Sequence, residues 1–237
     1  MKILGFDTST GFLCVGACDN EKLYEYGLGL GTKTSELLVP TIKRVVKSLG
    51  WEISDVDYFA AGIGPGSFTG VRVGLAAIKA LSWSLDKPIA GVSSLDILAL
   101  NAPKNYDYII PVIDAKRGLV YAGIYKNQGA GVKRIAPYML LNFQELALKV
   151  KNKISGKALR NSVILGDGLN ICAKDCSAGL KGIKLLDKDY WRLEGRHLIA
   201  LAKAVIEQGK TTDSFGLLPL YLYPKECQIR KSVKCKV

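Results

Sequence analysis

The chain has 237 residues, 33 Lys+Arg against 21 Asp+Glu, a net charge of +12, six cysteines and one histidine. That length suits one large domain or two small lobes, and 49% hydrophobic with 23% charged residues excludes disorder and collagen. No apolar run approaches the ~18 residues of a membrane helix, and Met1-Lys2-Ile3-Leu4-Gly5-Phe6-Asp7 meets an acid too early for a signal peptide, so a soluble, cytoplasmic protein is expected.

Residues 2–7, 12–18 and 23–29 are short apolar or alternating runs, broken by Thr8-Ser9-Thr10-Gly11 and by Asp19-Asn20-Glu21, and predict a strand meander. Leu37, Leu38, Thr41, Ile42, Val45, Val46 and Leu49 then recur at helical spacing, with Lys43, Arg44 and Lys47 between them and Gly50 closing the run. Thr34 or Ser35 is the expected cap, Glu36 falls in the first turn, and Pro40 is the one awkward residue. A strand at 58–63, a glycine turn, a helix from 69 to 85, a strand at 88–92 and a short helix at 93–100 complete a βββαβαβα unit. A Rossmann domain would open βαβ, with its glycine turn after the first strand, so three leading strands argue against it. The boundary is expected near 101–105, giving lobes 1–101 and 102–237.

The second half repeats the first. At a constant offset of 107, Ile3-Leu4-Gly5-Phe6-Asp7-Thr8-Ser9-Thr10-Gly11 faces Ile110-Pro111-Val112-Ile113-Asp114-Ala115-Lys116-Arg117-Gly118. Gly16 then faces Gly123 and Asn20 faces Asn127, which predicts a duplication. A third strand at 131–141, a helix from Asn142, strands at 162–165 and 183–186 and a helix at 194–208 fill out the second lobe. That last helix is expected to return to the first lobe. His197 lies at its start, where a packing or surface role is expected.

A lone histidine cannot build a two-histidine metal site such as HExxH, and no GxSxG elbow is present. Cys14 and Cys18 fall about 13 Å apart on one strand, too far for a disulfide. Cys172-Ala173-Lys174-Asp175-Cys176 has a chelating spacing without a second pair beside it, so reduced thiols are expected throughout.

The charge is uneven. Residues 1–100 hold nine Lys/Arg and ten Asp/Glu, while 101–237 hold 24 and 11. Residues 149–160 contain five basic residues and no acid, and 225–236 contain five and one. Two readings stay open, a solvated lysine surface or a footprint for a polyanion such as RNA. Neither stretch interleaves aromatics that would stack on single-stranded bases.

Two lobes, each with an acid closing its first strand, suggest a nucleotide cleft between them. Asp7, Thr8 and Ser9 offer a carboxylate, hydroxyls and turn amides to phosphate or hydrated Mg²⁺; a hairpin turn satisfied by its own hydroxyls explains them equally. Gly64-Pro65-Gly66-Ser67-Phe68-Thr69-Gly70-Val71-Arg72 follows a strand and opens a helix. Its amides suit an anion, it is not a P-loop, and its glycines serve a tight turn equally well. Beyond it, Gly74, Ala76, Ala77 and Ala80 allow another helix to approach, with Leu75, Ile78 and Leu81 as apolar surface.

The motifs Ile3-Leu4-Gly5-Phe6-Asp7-Thr8-Ser9, Ser35-Glu36-Leu37-Leu38-Val39-Pro40 and Gly64-Pro65-Gly66-Ser67-Phe68-Thr69-Gly70-Val71-Arg72-Val73-Gly74 together resemble the TsaB (YeaZ) family. Asp114-Ala115-Lys116-Arg117-Gly118 and Leu218-Pro219-Leu220-Tyr221-Leu222 extend the resemblance into the second lobe, thinly between 125 and 215. The resemblance implies an α/β, actin-like ATPase (ASKHA) fold of two duplicated ribonuclease-H-like βββαβα lobes. It implies a non-catalytic subunit that helps place threonylcarbamoyl on a tRNA adenosine beside the anticodon. The implied partners are a TsaD-type paralogue holding the metal and active site, a TsaE-type ATPase and, through the complex, tRNA; a homodimer is expected when the chain is alone. The paralogue's HxxxH ligand pair is beyond a chain with one histidine.

The implied partner contact uses the two first-lobe helices, with Leu38, Ile42, Val45, Arg72, Gly74, Leu75, Ile78 and Lys79 as its candidate residues. Asp7, Thr8, Ser9, Gly64, Gly66, Ser67 and Asp114 are the candidate lining of a weak or vestigial nucleotide pocket. No cofactor, metal ligand or catalytic residue is expected beyond ATP or ADP with Mg²⁺ at low affinity or at the partner interface. Thr34, Lys116, Leu119 and Tyr223 depart from the family pattern, at positions that usually hold His, Arg, an acid and Arg. The alternative is an independent ASKHA kinase or ATPase, for which Asp114 with Lys116 and Arg117 is a poor second phosphate loop. A glycoprotease lacks its metal ligands and nucleophile here.

Overall fold

The computed structural model describes residues 1–223 apart from 21, 30, 32, 130, 155 and 172–178. The Cys172/Cys176 spacing and the basic run 225–236 lie outside the described residues.

In the first lobe, β1 (Lys2–Asp7), β2 (Phe12–Asp19), β3 (Lys22–Gly29), β4 (Tyr58–Gly62) and β5 (Ile89–Val92) form a sheet of order β3-β2-β1-β4-β5. The meander is antiparallel, and β4 and β5 run parallel to β1. The second lobe follows with β6 (Tyr108–Lys116), β7 (Leu119–Ala122), β8 (Tyr125–Asn127), β9 (Val132–Arg134), β10 (Met139–Leu141), β11 (Ser162–Leu165) and β12 (Lys184–Leu185). Its order, β10-β7-β6-β11-β12, repeats the first with the same strand directions. Two lobes of this topology in tandem make the actin-like ATPase fold.

One predicted strand is corrected. In place of a single run over 131–141, β9 pairs with β8 and β10 pairs with β7. Tyr125 faces Arg134 but Ala122 faces Met139, so the register slips by two residues between the two pieces. The slip contains Pro137, which has no N–H to give a ladder.

Strands β1 and β2 read as unbroken apolar runs because both faces of the sheet are covered. Leu4, Phe6, Leu13, Val15 and Ala17 pack against α1 (Thr34–Ser48) and α2 (Phe68–Leu85). Ile3, Cys14 and Cys18 face the opposite core, shared with α3 (Ser94–Ala99) and with Ile109 and Ile113 of the second lobe. Both cysteines are buried free thiols. In the second lobe, Ile110, Val112, Val120 and Ala122 pack on Leu146, Ala147 and Val150 of α4 (Phe143–Lys153), whose start carries a reciprocal Asn142–Glu145 capping box.

The last described helix, α5 (Gly195–Glu207), crosses back to the first-lobe sheet and lies over β1, β2, β3 and β5. Its approach depends on two facing glycines. A Cβ on Gly16 would stand 2.5 Å from the Gly195 carbonyl oxygen and 2.7 Å from an Ile199 methylene. His197, in the first turn, is packed beside Glu194.

The cap of α1 is also corrected. Thr34 is already helical, Lys33 is the N-cap, and no side chain caps the end; Leu37 N–H bonds to the Lys33 carbonyl instead. No helix among the described residues is long and apolar enough to cross a membrane.

Gly16→Ala should destabilise the chain by about 1–3 kcal/mol through this overpacking, whereas Gly11→Ala, with nothing within 4 Å of its added methyl, should stay within about 0.5 kcal/mol. Urea melts of the two variants compare these directly. Burial, aided by Arg196 and opposed by Glu25, pushes His197 from its ordinary 6.5 down to about 4. The unfolded chain therefore binds the extra proton between those values, and stability falls as pH drops through that window. His197→Gln should flatten this acid-side loss in denaturant midpoints taken across the window; parallel curves would refute it.

Candidate functional site

The turn between β1 and β2 lies directly on the start of α2. Thr8 Oγ1 donates to the Gly70 carbonyl at 2.7 Å, and Ser67 N–H donates to the Ser9 carbonyl at 2.7 Å. A side chain on Gly66, Gly70 or Gly74 would overlap Ser9 or Thr8. These glycines thus serve close approach, and Gly64, at φ +89°, supplies the turn before them. The Gly64 carbonyl accepts from Ser94 N–H at 2.8 Å, which ties the loop to α3. Ser67 caps α2, its hydroxyl oxygen accepting from Gly70 N–H at 3.2 Å.

Asp7 is sealed behind this turn, with no exposed surface. One carboxylate oxygen accepts from Ser9 N–H at 2.6 Å, and the other from Ser94 Oγ at 2.5 Å. Gly62 leaves room for it, since any side chain there would overlap the carboxylate. Burial raises the Asp7 pKa above the usual carboxylate range, and the Ser9 and Ser94 hydrogen bonds offset only part of that rise.

Its duplicate in the second lobe is open. Asp114 Oδ1 accepts from Lys116 N–H at 2.7 Å, repeating the Asp7–Ser9 bond at the offset of 107, and Oδ2 pairs with Lys116 Nζ at 2.5 Å. That carboxylate raises the Lys116 pKa. Lys116, Arg117 and Gly118 all take positive φ, which aims the turn at the first lobe's glycine loop across a cleft of about 620 Å³. Asp167 joins them, accepting from Asp114 N–H at 3.0 Å; burial, with Asp114's charge adding, raises its pKa.

Of the residues expected from sequence, Ser9, Gly66, Ser67 and Asp114 line this cleft, while Asp7, Thr8 and Gly64 lie behind its wall. Sequence reading missed Asp167, Tyr121 and Tyr223. Asp167 had a signal, an acid between Gly166 and Gly168 directly after a parallel strand. Tyr223, noted only as a departure, donates from its hydroxyl to the Ala115 carbonyl at 2.7 Å and packs edge-on against Tyr121. Among the described residues no three His, Cys, Asp or Glu side chains cluster to hold a metal ion.

The helix surface also differs from expectation. Leu38, Ile42 and Val45 of α1 and Gly74, Leu75 and Ile78 of α2 are buried within the lobe, because the apolar stripes close the sheet. They are corrected from interface to core. The outward face of α2 presents Phe68, Arg72, Ala76, Ala80 and Trp83, with Lys79 half-exposed; on α1, Val39 is exposed. Trp83 is 72% exposed and Phe68 49%. Arg72 is held in place, its guanidinium 3.6 Å from the Phe68 ring centroid and its Nε donating to Tyr221 Oη at 2.9 Å.

Residues 31–177 match the family model described as "TsaD: tRNA N6-adenosine threonylcarbamoyltransferase". The tRNA threonylcarbamoyladenosine biosynthesis protein TsaB of Bacillus subtilis is 35% identical over 158 residues, 65% of this chain and 68% of that protein. The protein of the same name from Escherichia coli is 28% identical over 224 residues, 94% of each chain. Among solved structures, YeaZ from Pseudomonas aeruginosa superposes with a TM-score of 0.78 at 23% identity, over 93% of this chain and 100% of that one, and supports the fold. With a family model over more than half its length and a TsaB relative matched over two thirds, this chain belongs to the TsaB (YeaZ) family.

Proposed function

We propose that this chain is the non-catalytic, dimerising subunit of the complex that transfers threonylcarbamoyl to a tRNA adenosine beside the anticodon, and that it holds a TsaD-type paralogue on the outer face of α1 and α2. The coarser part follows from family membership, since the relatives in Bacillus subtilis and Escherichia coli are named for tRNA threonylcarbamoyladenosine biosynthesis. The observation that carries the finer reading is the outward stripe of α2. Ala76 and Ala80 leave a shallow track between two large exposed rings, Phe68 and Trp83. Small residues let a second helix come close, and the rings give it anchors. A TsaE-type ATPase and tRNA would join through the assembled pair, and the same stripe would serve a homodimer in isolation.

The cleft supports a secondary role. A nucleotide with Mg²⁺ would meet Asp114, Asp167 and Arg117 on one wall and Ser67 on the other. The fit is weak, because the loop is packed down on Ser9, Asp7 is taken up by Ser9 and Ser94, and Lys116 is paired with Asp114. ATP or ADP is therefore proposed only at low affinity. The alternative, an independent ASKHA kinase or ATPase, draws on the 620 Å³ cleft and its Asp114–Asp167 pair.

Two measurements decide between them. Ala76→Glu with Ala80→Glu, or Trp83→Ala, should weaken co-elution with the TsaD-type subunit by about 2 kcal/mol or more while the thermal midpoint is kept; unchanged co-elution would sink the interface. Leu75→Glu and Ile78→Glu should instead unfold the first lobe. The isolated chain should turn over ATP no faster than its Asp114→Ala variant, and a clear excess would favour the independent enzyme.

A further inference from the structure

We infer that the outer surface of the second lobe, formed by α4, the turn after it and the β12 edge, binds an RNA phosphate backbone. This rests on the reading above that the complex acts on tRNA, and it adds where on this subunit the nucleic acid would lie.

Lys149 and Lys153 project from α4 one turn apart, about 6 Å. Lys157 and Arg160 follow on the 3₁₀ turn Gly156–Asn161, and all four are exposed. The chain then enters β11, whose Val163 pairs with Lys184 of β12. Arg160 is laid across Gly182, its Cγ 3.4 Å from where a Cβ would stand, so it joins Lys181 and Lys184 in one patch. None of these six side chains pairs with a carboxylate among the described residues. Residues 149–160 contain no acid to balance them.

Helix electrostatics accounts for only part of this. Basic residues in the last turn of α4, Lys151 and Lys153, offset the negative end of the helix. Arg160 stands likewise in the last turn of the 3₁₀ helix Gly156–Asn161, whereas Lys181 and Lys184 lie off both helices and have no such role. In the duplicated plan, α4 stands in the second lobe where α1 stands in the first, since each follows the outer antiparallel strand of its sheet, β10 or β3. In the first lobe the exposed apolar stripe lies on α2, while α1 itself exposes Lys43, Arg44 and Lys47. Helix α4 exposes Lys149, Lys151 and Lys153, with Leu148 as its exposed large apolar residue at 62%, and the cations continue beyond it to Lys157, Arg160, Lys181 and Lys184.

Protein partners are anchored by clustered aromatic and apolar groups, whereas α4 exposes one large apolar side chain, Leu148, among its lysines. Single-stranded bases need stacking rings, absent from 149–160. Dispersed cations, unpaired among the described residues and without an apolar cluster or stacking rings in 149–160, match a phosphate backbone, whose binding is electrostatic and set by counterion release.

The test uses the full chain carrying Lys149→Gln, Lys153→Gln, Lys157→Gln, Arg160→Gln and Lys184→Gln, alone and assembled with the TsaD-type subunit. Fluorescence anisotropy with a tRNA transcript would be read across a salt series. The Kd should rise at least ~10-fold near 0.1 M salt, and the slope of log Kd against log salt should shrink by about four. Unchanged Kd and slope would overturn the inference, as would polyglutamate of matched charge displacing the transcript equally well. The variant should keep its thermal midpoint and its co-elution with the paralogue. Failure of the unsubstituted chain to co-elute would remove the subunit assignment while leaving tRNA binding readable on the chain alone.

Discussion

The close seating of the β1–β2 turn on the first turns of α2 is the constraint from which the other features follow. Thr8 and Ser9 reach the helix backbone because Gly66, Gly70 and Gly74 offer no side chains in the way. That contact sets the direction in which α2 leaves the sheet and so decides which of its faces meets solvent. It also draws Ser94 over Asp7, which closes the acid inside the lobe. A bulkier glycine loop would open that pocket and turn the outward stripe away together.

Duplication makes the contrast between lobes informative. The same carboxylate-to-amide bond closes both first strands, Asp7 to Ser9 and Asp114 to Lys116. In the first lobe the acid is buried by hydroxyls and by α3; in the second it faces the cleft with Lys116 and Asp167 around it. One inherited turn therefore became a structural joint in one lobe and a polar wall in the other.

Much of this was legible in the sequence. Strand alternation, the change of period after Thr34 and the offset of 107 located the strand meander, the helices and the repeat, because each depends on local pattern. Three features were not legible, for physical reasons. The apolar stripe of α1 has the same spacing whether it meets its own sheet or a partner, so Leu38 and Ile42 could not be assigned to core from periodicity. Asp7 reads equally as a phosphate ligand or as part of a self-satisfied turn until Ser94, 87 residues away, is seen to bond it. Pro137 marks a break within 131–141, but only the pairing with β7 and β8 shows that the register slips there by two residues.

The return of α5 has a consequence for how the chain is made. The first-lobe sheet lacks one of its covering layers until Gly195–Glu207 is present, and the segment after it adds Leu217 to the core and a bridge from Thr212 to Ile89. Its Leu220 N–H then bonds to the Ile63 carbonyl, while Tyr223 reaches Ala115. The second lobe is thus an insertion between two parts of the first. During synthesis the first hundred residues emerge early yet remain incomplete, whereas the second lobe can close on local contacts. The lobe whose strands are made before the other's is completed after it, and the long-range contacts that complete it are those that slow folding.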